Sequence, residues 1–341
     1  MASKLLLLGL LVNLLMLTDG EPVGVCNGRN GNNLPSEQDV VNLFQNKGIS
    51  RMRIYDPNQS RATLEALGGT NIEVMIGVPN DALQLLTDQN AANTWVNNNI
   101  VKYSNVNFKY IAVGNEVDPN NENRGYVDFV LPAMQNIHNA IKGAGLDDRI
   151  KVSTATYTGL LENTSPPSHS AFRGNVQGFI GPIVKFLVEN NLPMLANIYP
   201  YFGYLGDPNK NLQYALFTAQ GTVVPDDNGL QYSNLFDAML DAHYAAQARV
   251  GGENVEIVVS ESGWPSEGGE EATPDNAGTY YKNLVEHVRG ATGTPAKQGI
   301  SIETYLFAMF DENLKGGAET EKHFGIFSLS QQLKYDGLTF N

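Results

Sequence analysis

The chain has 341 residues, 42% of them hydrophobic and 17% charged, and a formal net charge of −14. That length and composition suit one large domain or two ordinary ones and exclude a disordered chain, and the acidic balance argues against a nucleic-acid partner. The single cysteine, Cys26, excludes an intramolecular disulfide and a thiolate-rich metal site; after the apolar Val23-Gly24-Val25 it reads as a buried structural thiol.

In chain order, Lys4 precedes an apolar stretch, Leu5 to Leu17, followed by the small or polar Thr18-Asp19-Gly20. This is the pattern of a signal peptide cleaved near Gly20, and the stretch is short of the roughly 20 residues that span a bilayer. Removing residues 1–20 deletes one cation, Lys4, and one anion, Asp19, so the net charge stays at −14. Residues 21–341 then read as one domain. Eight apolar, β-branched runs follow: Val23 to Val25, Arg51 to Tyr55, Ile72 to Val78, Tyr110 to Val113, Lys151 to Thr156, Met194 to Tyr199, Val255 to Val259 and Ile300 to Phe310. Amphipathic stretches alternate with them, among them Glu37 to Lys47, Ala91 to Tyr103, Val127 to Lys142, Val176 to Asn190, Leu235 to Arg249 and Asn276 to Arg289. Such alternation predicts an α/β fold, and eight repeats fit a closed (β/α)8 TIM barrel. Lys315 to Leu333 has little helical period. Phe202 to Gln231 is long for a βα loop and predicts a small extra subdomain in the late loops, with Gln213 to Thr218 and Gly221 to Val224 as a hairpin.

In such a barrel the active site forms at the carboxyl ends of the strands. The fourth run ends in "AVGNEV", which puts Asn115 and Glu116 at the rim; the seventh leads into "VVSESGWPS", which puts Glu261 there. Two carboxylates on opposed rim strands are the equipment of glycoside hydrolysis, one donating a proton and the other attacking the anomeric carbon or activating water. Taken singly, each glutamate reads equally well as a solvated strand end. Arg53, Tyr55, Asn197, Tyr199, Glu312, Lys315 and Glu321 gather at other rims. Tyr199 could hold a carboxylate ionised, and Lys315 could offset the surplus acid. The bland alternative is that Tyr55 and Tyr199 pack and that Glu312 and Lys315 form a surface pair. Tyr199, Tyr201, Phe202, Trp264 and Phe310 are expected to line a sugar groove, with Phe307 assigned to the core.

Other chemistries lack their signatures. The five histidines (His138, His169, His243, His287 and His323) show no metal spacing, and there is no P-loop, dinucleotide fingerprint or G-x-S-x-G. "DPNNEN" at 118–123 starts like a calcium loop but has Asn123 where glycine is needed. No metal or other cofactor is expected. Sequons stand at Asn58 and Asn163, the second with Pro166 just after it.

Six motifs, "VGVCNGRNGNNLP", "RMRIYDPN", "AVGNEV", "ANIYPYF", "VVSESGWPS" and "LFAMFDENLK", fall in order at strands or strand ends and resemble the plant β-1,3-glucanases of glycoside hydrolase family 17 from Val23 to Phe340. The resemblance implies a retaining (β/α)8 endo-hydrolase of internal β-1,3-glucosidic bonds, working through a covalent glycosyl-enzyme. It assigns Glu116 as general acid/base, Glu261 as nucleophile and Glu312, Lys315 and Glu321 as an accessory charged cluster. Asn115 would order the acid and touch the sugar, Tyr199 would hold Glu261, and Tyr55 belongs with the supporting residues. The implied partner is β-1,3-glucan, acted on by a monomer secreted to the apoplast or cell wall. Mixed β-1,3-1,4-glucan hydrolysis, transglycosylation and non-catalytic glucan binding are the alternatives. One departure stands out: Asn27 occupies the position after the cysteine where the family usually has tyrosine, expected near the groove.

Overall fold

A computed structural model describes residues 23–340; the leader proposed at residues 1–20 lies outside them. Eight parallel strands close a barrel: β1 (Gly24–Cys26), β2 (Arg51–Ile54), β3 (Glu73–Val78), β4 (Asn107–Asn115), β5 (Lys151–Tyr157), β6 (Met194–Asn197), β7 (Ile257–Ser262) and β8 (Thr304–Leu306). Strand β1 pairs with β2 on one side and β8 on the other, which completes the ring. All eight runs read from the sequence contain or overlap a strand. The eighth is much shorter than Ile300 to Phe310, and β4 is longer at both ends than Tyr110 to Val113.

Helices α1 (Glu37–Asn46), α2 (Arg61–Leu67), α3 (Gln89–Asn99), α4 (Val127–Gly143), α5 (Gln177–Asn190), α6 (Pro200–Gly206), α7 (Leu212–Ala215), α8 (Leu235–Ala248) and α9 (Pro274–Arg289) lie between the strands. Side chains of Ser36, Asp88, Asn234 and Thr273 accept from the first-turn backbone N–H groups of α1, α3, α8 and α9, the polar caps that helix starts require. Side chains alternate along the strands. Val25, Ile54, Ile76, Ile111, Val152 and Val259 join the large core shared with the helices, while Cys26, Met75, Tyr110, Leu195, Val258 and Tyr305 form a separate interior cluster. Cys26 is therefore a fully buried barrel residue, its thiol pushed up to about 12 by burial and by the charge of Glu261.

The extra structure is in the middle of the chain. One short hairpin pairs Leu161–Glu162 with Ala171–Phe172 after β5, and a second pairs Val224–Pro225 with Gln231–Tyr232 after β6. The expected hairpin of Gln213 to Thr218 with Gly221 to Val224 is corrected: Asn211 caps a helical turn at Leu212–Ala215, and the true reversal runs through Asp226 to Gly229, whose φ is 86°. The two insertions are latched together. Asp226 accepts from Ser168 N at 2.9 Å and Ser168 Oγ at 2.5 Å; separately, Arg249 at the end of α8 anchors the first insertion by donating to the carbonyls of Ser170 and Ser168 at 2.9 and 3.0 Å.

Candidate active site

A cleft of about 1390 Å³ opens over the carboxyl ends of the strands. Tyr55, Asn115, Glu116, Tyr199, Glu261, Glu312, Lys315 and Glu321 all line it, so the eight site residues singled out in the sequence are brought together.

Two strands are irregular where they carry the carboxylates. Strand β7 shifts register against β6 between Val259 and Glu261, and β4 shifts against β5 between Ala112 and Asn115. An extra residue bends a strand and re-aims its side chains. Glu261 thus sits inside β7, one residue before its end, and turns into the mouth. Gly263 follows because a Cβ there would collide with the Phe307 carbonyl.

The environments of the two carboxylates differ. Glu261 accepts from Tyr55 Oη at 2.8 Å and Tyr199 Oη at 2.6 Å, and Arg53 Nη1 lies 2.9 Å from its Oε1. Three donors thus fix the position of this carboxylate. Glu116 accepts from Asn197 Nδ2 at 2.8 Å; burial, then the charge of Glu261, pushes its carboxyl up to about 7. Asn115 makes no contact of its own with that acid. Its Oδ1 instead accepts from Arg53 Nη2 at 2.7 Å and Asn197 Nδ2 at 3.2 Å, so the residue that touches Glu116 is Asn197. Asn197 Oδ1 is in turn held by Arg53 Nη1 at 3.1 Å and Ser260 Oγ at 2.7 Å. Arg53 is 1% exposed and carries the positive charge between the acids. Arg53 and Asn197 were legible as polar rim residues, whereas Ser260 was passed over although it sits inside the quoted motif.

The bland alternative of a Glu312–Lys315 surface pair does not hold, and both residues line the cleft with Glu321. The Glu312 carboxylate is buried and accepts from Asn30 N at 3.0 Å, in space that exists because residue 28 is glycine; burial raises its pKa. Lys315 pairs with Glu321 at 3.0 Å and lies 4.1 Å over the Phe307 ring.

The aromatic expectations also need correction. Tyr199 and Phe202 line the cleft, but so does Phe307, which meets Tyr55, Tyr199 and Phe324 edge-on. Trp264 is fully buried against Tyr201 and Tyr280 and donates to the Glu271 carbonyl at 3.0 Å. Tyr201 and Phe310 are core as well, and Asn27 is 2% exposed and outside the cleft lining. Polarity beside a turn does not tell which side of the turn faces the mouth. Among the described residues, no group of three or more His, Cys, Asp or Glu is placed to hold a metal ion, and no helix is long and apolar enough to cross a membrane.

A (β/α)8 barrel with two unlike carboxylates at its mouth is the apparatus of a glycoside hydrolase. The profile of glycosyl hydrolases family 17 matches residues 23–339, and the chain belongs to that family. It is 59% identical over 333 residues to a glucan endo-1,3-beta-glucosidase of Vitis vinifera, covering 97% of this chain and 95% of that protein. Among solved structures, a beta-1,3-glucanase and allergen of Cryptomeria japonica pollen superposes with a TM-score of 0.90 at 47% identity, covering 94% of this chain and all of the other. A structure from a study of two plant beta-glucan endohydrolases with distinct substrate specificities gives 0.86 at 46% identity, covering 92% and 99%.

Proposed function

We propose that the protein is an endo-β-1,3-glucanase that cleaves internal bonds of β-glucan with retention of configuration, using Glu261 as nucleophile and Glu116 as general acid/base. The observation that carries this reading is the asymmetry of the two acids: three donors surround Glu261, while Glu116 is pushed up to about 7. A carboxyl held by three donors suits attack, and one whose proton affinity is raised suits proton donation, so the pair divides naturally into nucleophile and acid. In the first step a Glu261 oxygen bonds to the anomeric carbon, the glycosidic C–O bond breaks, and the Glu116 proton passes to the departing sugar oxygen. In the second, the Glu116 carboxylate takes a proton from water, the water oxygen displaces Glu261, and the starting protonation states return.

Reducing-sugar release from laminarin, beside Glu261→Gln, tests the assignment. Release that vanishes in the variant supports it; equal release from both removes Glu261 as nucleophile. The anomer first formed, read by NMR, tests retention.

A second reading, activity on mixed β-1,3-1,4-glucan, draws on the solved relative from a study of endohydrolases with distinct specificities. Rates on laminarin and on barley glucan separate the two. The same proposal includes a leader removed near Gly20 and an extracellular monomer, tested by the amino terminus and elution volume of the secreted product.

A further inference from the structure

The acid carboxyl stands on an unusual piece of backbone. The ladder between β3 and β4 ends at the pair Val78 and Val113, two residues short of Asn115. Beyond it Gly114 has φ 78° and Glu116 has φ 51°, a left-handed value that a side-chain-bearing residue rarely adopts without external support. Strand β3 supplies none of that support, and β5, its register shifted here, supplies only Ala155, which pairs with Asn115 and accepts from Glu116 N.

On the β3 side the support comes from a side chain. Pro79 ends β3, and Asn80 opens a single turn of 3-10 helix, Asn80–Ala82. The Asn80 carboxamide meets both backbone polar groups of Asn115, which belong to consecutive peptide units. Its Oδ1 accepts from Asn115 N at 2.8 Å, and its Nδ2 donates to Asn115 O at 2.9 Å. Because a peptide N–H can only donate and a carbonyl only accept, these partners fix which end of the carboxamide is which. The side chain thus does for Asn115 what a further strand residue would have done, donating and accepting at once. The peptide between Asn115 and Glu116 is therefore held at both edges, its carbonyl by Asn80 and its N–H by Ala155 O at 2.9 Å, while Asn121 and Asn123 reach Glu116 O at 3.4 Å.

We infer that Asn80 is a positioning residue for proton donation: by holding the N–H and C=O of Asn115 it keeps Glu116 where its proton meets the departing oxygen. Asn80 is outside the cleft lining and makes no contact with the Glu116 carboxyl or the nucleophile. Its effect is confined to bond cleavage that needs an acid. The inference rests on Glu116 being that acid.

Leaving-group dependence tests it. kcat/KM is measured for the secreted protein on a laminari-oligosaccharide, whose departing sugar must be protonated, and on a 2,4-dinitrophenyl β-laminari-oligosaccharide, whose phenol leaves as its anion. kcat/KM reports the first cleavage, before the second step intervenes. Asn80→Ala is expected to lose about tenfold or more on the first substrate, part of the roughly 10²- to 10⁴-fold that a general acid supplies, and less than about twofold on the second. A merely structural role would lower both rates together, and equal losses, or no loss, would overturn the inference. Glu116→Ala is run alongside. If it fails to spare the dinitrophenyl substrate, the acid assignment falls and Asn80 with it; if it spares that substrate while Asn80→Ala does not, Asn80 alone is refuted. Should Asn80→Ala not fold, Asn80→Ser, which keeps an acceptor for Asn115 N–H, is judged by the same ratio.

Discussion

Glu303, at the amino-terminal end of the barrel, and Glu261, at the mouth, keep nearly the same company. Glu303 accepts from Tyr110 Oη at 3.0 Å and Tyr305 Oη at 3.1 Å, with Lys109 at 3.1 Å and Arg51 at 3.6 Å. Glu261 has Tyr55, Tyr199 and Arg53. The difference lies in what surrounds each set. At the lower end Arg51 and Lys109 also reach Glu73, so among the described residues two cations meet two carboxylates. At the mouth Arg53 and Lys315 face Glu116, Glu261, Glu312 and Glu321, and the cleft is open. Two phenols and a guanidinium are therefore a general way to bury a glutamate. Reactivity comes from the surplus acid beside it and from access.

Substitution can break this comparison. The largest effect is expected for Glu261→Gln, with kcat on laminarin falling by about 10⁴-fold or more while laminarin still binds. Next, Glu116→Ala should cost about 10²- to 10⁴-fold on the same polymer. Because the Glu116 carboxyl is raised, its proton is present at low pH and lost as pH rises through about 7. The kcat/KM profile of the unaltered protein should bend down there and that of the variant should not; a limb that persists in the variant would assign the proton elsewhere. Removing one phenol from the upper glutamate, by Tyr199→Phe, should cost about tenfold to hundredfold, the worth of one hydrogen bond to a charge at roughly 1.5–3 kcal/mol. The smallest effect on rate is expected at the matching glutamate below. Glu303→Gln should leave kcat within about twofold yet lower stability by about 3 kcal/mol, read from denaturant unfolding. Lost activity without lost stability would mean that the two ends do not divide as described.

Much of the fold was legible because a barrel strand must be apolar and bounded by turns, and the eight runs from Val23 to Phe310 satisfied both conditions. Helix α2 was missed because Arg61–Leu67 is too short to display a period. The second hairpin was misplaced because the turn residues Asp226-Asp227-Asn228-Gly229 were outweighed by apolar residues further back. At the mouth, that Glu116 and Glu261 line the cleft was legible from their place at the strand ends. What the sequence hid is long-range. That Asn197 rather than Asn115 touches Glu116, that Asn80 replaces a strand residue, and that Trp264 turns inward while Phe307 faces the cleft all depend on register shifts and on partners from distant segments.

The two latched hairpins carry one more consequence. Thr164, Ser165 and Pro167 from one, and Val223 and Val224 from the other, form a wall of the cleft, and their mutual attachment runs through Asp226 and Ser168, whose bonds to each other involve no carboxylate of the mouth. The wall is in effect a removable jaw on a fixed vice. Insertions or deletions in it can change which polymer fits while β4 and β7 keep their acids in place, so a lineage built on this barrel is free to change diet without relearning its chemistry.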